Sequence, residues 1–244
     1  MRAWIRACRV AGLALRPPLF LAAAGLLAFA LVAGAARALR AHDLSVWGFP
    51  FAGFGEADRY ALTFAVAPLP ILTGLVIWRA RARYGRAWPA ALGLVPPRPG
   101  PALPATILLW PAFQIGWVSG LAALSGELPA AVFRLPPALD GAAFAVWVAW
   151  LVLLAPLAEE LLFRGDLFAR ARGVLAPGTT VLLSAGLFSL SHALGPATRP
   201  LSVLPLGLAL GLLRVHTGSL FACMALHAAN NGALVLVMLA FEGA

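Results

Sequence analysis

Glu159 and Glu160 stand side by side at the end of an uncharged run, residues 142–158, that reads as a membrane-embedded helix. Ionisable groups inside a bilayer helix are costly and mark functional positions. Glu160 and Arg164 are four apart with the acid on the N-terminal side, the favourable order for a helical ion pair. That pairing satisfies Glu160 and leaves Glu159, about 100° round the helix, facing elsewhere. The plainer alternative is a charge cluster at the water boundary. Three further polar positions argue for a site: His192, His227 and Asn231 all fall inside apolar stretches of the C-terminal half. His227 and Asn231 are four apart and share a helix face, and His192 follows Phe188 by four. One buried histidine is commonly just a hydrogen-bonded core group, but two His, one Asn and two Glu on neighbouring helices form a set.

Three chemistries fit such a set. A carboxylate and an imidazole can orient a water and take its proton for amide hydrolysis, with His227 and Asn231 donating to the tetrahedral oxyanion. Glu159, His192 and His227 could instead hold zinc with a water in the open position, although no His-Glu-x-x-His motif occurs and the ligands come from three helices. Cys223, four before His227, offers a cysteine nucleophile, against which stands the usual inertness of a buried apolar thiol.

The elements that must position these groups are membrane helices. The 244 residues are 62% hydrophobic and 11% charged, with apolar runs from end to end, which excludes a soluble globular domain. The expected fold is all-α: a polytopic membrane helix bundle of about seven spans (six to eight). The spans read as Leu19–Ala36, Tyr60–Trp78 with Pro68 and Pro70 kinking it, Leu103–Leu124, a fourth from Gly141 carrying the glutamates, Thr179–Leu194, Leu201–Leu213 and Leu220–Phe241. A basic start, an apolar run and a small-residue tail also describe a secretory signal peptide, but more membrane follows, so Leu19–Ala36 is taken as a span. Trp47, Phe49, Phe51 and Phe54 look like an interfacial belt. Cys8 and Cys223 do not form a disulfide framework.

The net charge of +9 is all arginine and falls on alternate loops: the N-terminus, residues 79–98, residues 164–172 and Arg214. The positive-inside rule then puts the N-terminus in the cytoplasm, and the basic excess needs no nucleic-acid partner. Depth is consistent with a shared site. Glu159 and His192 are each about sixteen residues from a turn at 175–176, and His227 is about ten from a turn near Thr217; the levels agree if the first turn projects about 9 Å further. The site is expected to be reached from the cytoplasmic side.

Glu159-Glu160-x-x-x-Arg164, Phe188-x-x-x-His192 and His227-x-x-x-Asn231, in that order on separate helices, resemble the three motifs of the CAAX-protease and bacteriocin-processing (CPBP, or Abi) family of intramembrane endopeptidases. Leu213-Arg-Val-His-Thr-Gly-Ser-Leu before the last motif fits as well. The resemblance covers roughly residues 141–241, so the chain divides into helices 1–3 (residues 1–140) and a peptidase core (residues 141–244). It implies a glutamate-dependent peptidase in which Glu159 with His192 activates water and His227 with Asn231 forms the oxyanion site, Glu160 belonging to the same catalytic set and Arg164 to a structural ion pair. No cofactor is expected; zinc is possible, since the family was long described as metalloproteases. The implied partners are a peptide or membrane-protein substrate and the lipid bilayer. Eukaryotic members cut prenylated CAAX proteins, whereas bacterial ones are linked to peptide processing or bacteriocin immunity; the composition suggests a bacterial cytoplasmic membrane. The competing classes are a non-enzymatic scaffold or immunity protein and a transporter, the latter disfavoured by the lack of two related halves.

Overall fold

The computed structural model describes residues 2–41, 68–100, 102–126, 141–193 and 198–242. The aromatic belt at Trp47–Phe54, the first part of the expected second span and the loop carrying Glu127, Arg134 and Asp140 lie outside the described residues. Within the described residues the chain is helical and has no strand. The helices are α1 (Arg2–Ala41), α2 (Pro68–Tyr84), the short α3 (Trp88–Leu92), α4 (Ala102–Leu124), α5 (residues 141–171), α6 (Pro177–Leu190), α7 (Arg199–Thr217) and α8 (Leu220–Glu242). Among the described residues five stretches are long and apolar enough to cross a membrane: Ala7–Ala28, Leu103–Leu124, Phe144–Ala171, Arg199–Thr217 and Leu220–Phe241. Their outward faces carry leucines such as Leu108 and Leu124, 77% and 87% exposed, as a lipid-facing surface requires. The protein is an all-α integral membrane bundle.

Several boundaries depart from the sequence reading. Helix α1 runs well past Leu19–Ala36 in both directions and takes Pro17 and Pro18 inside it. Its Leu13 packs with Leu167 and Ala171, and its Ala24 with Leu72 and Val76 of α2. Helix α2 continues beyond Trp78 to Tyr84 because its arginines find aromatic faces: Arg79 lies over Phe20, Arg81 over Trp88 and Arg83 over Tyr84. Pro68 and Pro70 occupy the first described turn of α2, a position where proline is tolerated, so no kink within the described helix comes from them. Helix α6 stops at Leu190, and His192 lies in the turn after it, its backbone N–H donating to Ser189 O at 3.1 Å. The fifth span was expected to run on to Leu194.

Helix α5 is not uniform. Two π-helical segments, Trp150–Leu154 and Leu161–Asp166, interrupt it on either side of the glutamates. A π turn widens the backbone and leaves carbonyls outside the regular ladder. Side chains from three other positions take them: Asn231 Nδ2 donates to Leu151 O (2.9 Å), Ser184 Oγ to Phe163 O (3.2 Å) and Arg214 Nε to Arg164 O (3.1 Å). The glutamate helix is thereby fixed to α6, α7 and α8 by its own irregularities.

One end of the bundle is closed. Arg214, 3% exposed, also donates to Gly218 O and, at 3.2 Å, to Leu92 O. Gly93 follows Leu92 at φ +86°, and a Cβ there would collide with the Arg214 guanidinium. Segment 92–98 lies across the α7–α8 turn: Leu220 N–H donates to Gly93 O (2.6 Å), Arg98 N–H to Thr217 O (3.1 Å) and Ser219 Oγ to Val95 O (2.6 Å). Because Arg214 reaches both Gly218 O and Arg164 O, that turn sits level with Arg164. The seven residues from there to Ala171 project about 10 Å further, the offset that brings Glu159, His192 and His227 to one depth.

Candidate active site

Glu160 is completely buried, as is Arg164. Glu160 Oε1 accepts hydrogen bonds from Arg164 Nη1 and from His227 Nδ1, both at 2.9 Å. The expected ion pair with Arg164 is therefore present, and His227 is a second partner that helical spacing could not give. Arg164 is further held by Nη2 donating to Gly207 O at 2.9 Å and by the Phe188 ring, 4.5 Å from its guanidinium carbon. Gly207 has no side chain to block this approach, and a Cβ there would meet Phe188 at 3.2 Å.

Glu159 points to a different surface. Its side chain is 20% exposed, and Oε2 stands 3.9 Å from His227 Nε2. His227 thus lies between the two adjacent carboxylates, one on each ring nitrogen. A carboxylate only accepts, so Nδ1 carries the proton given to Glu160, and Nε2 is the nitrogen left for chemistry beside Glu159. His192 has the same arrangement: its Nδ1 lies 2.9 Å from Phe188 O, a carbonyl that also only accepts, leaving Nε2 open.

Glu159, His192, His227 and Asn231 line a common cavity of about 480 Å³. Glu160 and Arg164 stand behind it, packed out of reach. Asn231 accepts from Asn230 Nδ2 (3.1 Å) through Oδ1 and gives one amide hydrogen to Leu151 O, so a single hydrogen remains for a substrate. Phe188 joins the elements: its ring meets Phe163 at 5.5 Å, His192 at 4.9 Å and His227 at 5.7 Å between centroids. The sequence reading used Phe188 only as a spacing marker.

Other lining residues were not anticipated. Gln114 of α4 donates to Ser202 O at 2.6 Å while its Oε1 has no hydrogen-bond partner among the described residues. Asn230 Oδ1 and Trp150 Nε1 are buried in the same condition, and Arg199 also faces the cavity. These are polar groups on apolar helices, but none has a motif partner at fixed spacing to announce it. Cys223 is outside the lining; completely buried, it gives its thiol to Leu210 O and Ser219 O at 3.4 Å. Among the described residues no three His, Cys, Asp or Glu side chains are grouped to hold a metal ion. Glu159 and His227 approach each other, yet with His192 they do not form the three-ligand group that zinc would need.

The cavity runs away from the arginine-rich end. Along α8 it is lined from His227 through Leu234 to Met238, along α7 from Leu206 back to Arg199, and along α5 from Glu159 back to Trp147. The arginine-rich end, from which the sequence reading expected the site to be reached, is filled by α3 and Arg214.

Residues 141–233 match the family model described as Rce1-like, type II CAAX prenyl endopeptidase Rce1-like. The match falls on the segment that carries the three motifs and on the family those motifs resemble. No curated protein and no solved structure matches the chain. The matched segment is thus similar to a family of membrane endopeptidases, which supports a peptidase reading of this cavity.

Proposed function

We propose that this chain, whose residues 141–233 match the model described as Rce1-like type II CAAX prenyl endopeptidase, hydrolyses peptide bonds with a water activated by Glu159. The observation that carries the reading is the placement of His227 between Glu159 and Glu160 at the inner end of an apolar cavity. Glu159 is the base that takes the proton from water, and the open Nε2 of His192 accepts the other water hydrogen and orients it. The resulting hydroxide adds to the scissile carbonyl. His227, protonated on Nε2 through Glu159 and held by Glu160, donates to the oxyanion together with the remaining amide hydrogen of Asn231. The C–N bond then breaks as that proton passes to the leaving amine, and the new carboxyl group ionises.

Glu160 and Arg164 act by holding His227 in one tautomer and one orientation. Gln114 Oε1 and Asn230 Oδ1 are suited to accept from a substrate's backbone N–H groups, and Trp150 Nε1 to donate to a carbonyl. None of these steps calls for a cofactor. Purified protein challenged with a membrane-proteome peptide library tests the reading. Site-specific cleavage that is lost in a folded Glu159→Ala variant supports it, and cleavage unchanged in that variant overturns it.

A further inference from the structure

The two ends of the bundle differ in both packing and charge. At one end, Leu92, Phe163, Arg164 and Leu220 are completely buried, and Arg214 stitches the carbonyls of Leu92, Arg164 and Gly218 into a floor below the site. The cavity begins above this floor and, from His227 to Met238 on α8, rises eleven residues, about 16 Å. Its upper walls are apolar: Val118, Trp147, Leu234 and Met238, with the exposed Arg199 beside them.

Charge assigns the ends to compartments. The floor end carries Arg79, Arg81, Arg83, Arg86, Arg98 and Arg172, while its buried acid Asp166 is already paired with Arg170 at 2.6 Å. In the sequence, the opposite end, from the close of α1 through the α1–α2 and α4–α5 segments to the start of α7 and the end of α8, holds Asp43, Glu56, Asp58, Glu127, Asp140 and Glu242 against Arg37, Arg40, Arg59, Arg134 and Arg199, and is close to neutral. Arginine excess on one side of a polytopic protein marks the cytoplasmic side.

We infer that the cavity is loaded from the extracytoplasmic face, so that its substrates are apolar peptide segments of exported or translocated chains. The inference rests on the peptidase reading for the word substrate, but not for the side of access. A substrate on the cytoplasmic side meets the arginine floor; one on the other side meets the apolar walls and reaches Glu159 along α8.

Thiol labelling separates the two questions. In a Cys8→Ser, Cys223→Ala background, single cysteines are placed at Val118 and Ser191 in the cavity and at Ala87 on the floor end. Right-side-out and inside-out membrane vesicles are treated with a membrane-impermeant maleimide. The expected result is labelling of Val118→Cys and Ser191→Cys from the outer face with protection from the inner, and the reverse for Ala87→Cys. Labelling of the cavity cysteines from the inner face overturns the inference, as does protection of both from either face when detergent-solubilised protein reacts. None of these readouts needs catalysis: a chain that labels as expected but cuts nothing in detergent sinks the peptidase reading and leaves the sidedness standing.

Discussion

Glu160 and His227, 67 positions apart in the chain, are joined by a 2.9 Å hydrogen bond between Oε1 and Nδ1, and the same oxygen takes the Arg164 guanidinium. One oxygen therefore links the stability of the glutamate helix to the tautomer of the histidine. Replacing Glu160 with Gln leaves Arg164 buried without its counter-charge, a change that costs about 3–5 kcal/mol. Thermal unfolding in detergent should show a marked loss, and the double variant Glu160→Gln, Arg164→Met should recover part of it. Activity should fall in both, because a neutral amide cannot hold His227 as the carboxylate does. A fully active Glu160→Gln enzyme would remove the histidine-holding role.

Glu159 should behave in the opposite way. Its partly exposed side chain has His227 at 3.9 Å and the exposed Arg199 as charged neighbours, so Glu159→Gln removes the proposed base without stranding a fully buried charge. The rate should drop by at least about a hundredfold, with the unfolding midpoint almost unchanged. Parallel kinetics and melting curves check this; a fully active Glu159→Gln beside a folded, inactive Glu160→Gln would exchange the roles of the two glutamates.

Cys223→Ala should keep its activity. The thiol bonds to Leu210 O and Ser219 O away from the cavity, and losing one small buried group costs about 1 kcal/mol. A folded Cys223→Ala protein that no longer cuts would install the thiol as the nucleophile.

Cleavage should persist after exhaustive treatment with a chelator, since the proposed proton steps draw on Glu159, His192 and His227 alone. Metal content and rate measured on the same sample decide it: stoichiometric zinc, with activity lost on removal and regained on return, would replace the water mechanism with a zinc-bound one.

How much of this was legible follows from how local each signal is. The last span was readable almost to its ends, starting at Leu220, whereas α7 runs from Arg199 to Thr217, past both ends of the expected Leu201–Leu213, and is closed by Gly218 at φ +68°. The Glu160–Arg164 pair and the shared face of His227 and Asn231 follow from helical spacing alone. The Glu160–His227 bond did not, since it joins residues on different helices. The π segments were invisible because they exist through Asn231, Ser184 and Arg214, which bind their carbonyls from 80, 21 and 50 positions away. Arg214 read as one more cytoplasmic arginine; only the close passage of Gly93 shows it to be buried structure.

That passage gives a further expectation. Gly93→Ala places a side chain at φ +86° against the guanidinium of Arg214, where backbone strain alone costs about 1–2 kcal/mol. The midpoint of unfolding should fall accordingly, and a cysteine at Ala87 should become reactive from both faces if the floor loosens. An unchanged melt would show that Arg214 can move aside freely.

Gly207 lies where two demands meet. Its carbonyl receives Arg164, and its bare α-carbon lets Phe188 and Ala185 lie against α7. A methyl group there would meet both the Phe188 ring and the Ala185 backbone at 3.2 Å, so shrinking Phe188 clears only part of the space, and Phe188 is the ring on which Arg164, His192 and His227 rest. In a genetic screen, then, a Gly207 lesion should yield few second-site suppressors: the change that gains room at Phe188 takes away the ring, and no side-chain change gains it at the Ala185 backbone. The crossing of α6 and α7 therefore tolerates little change at either residue.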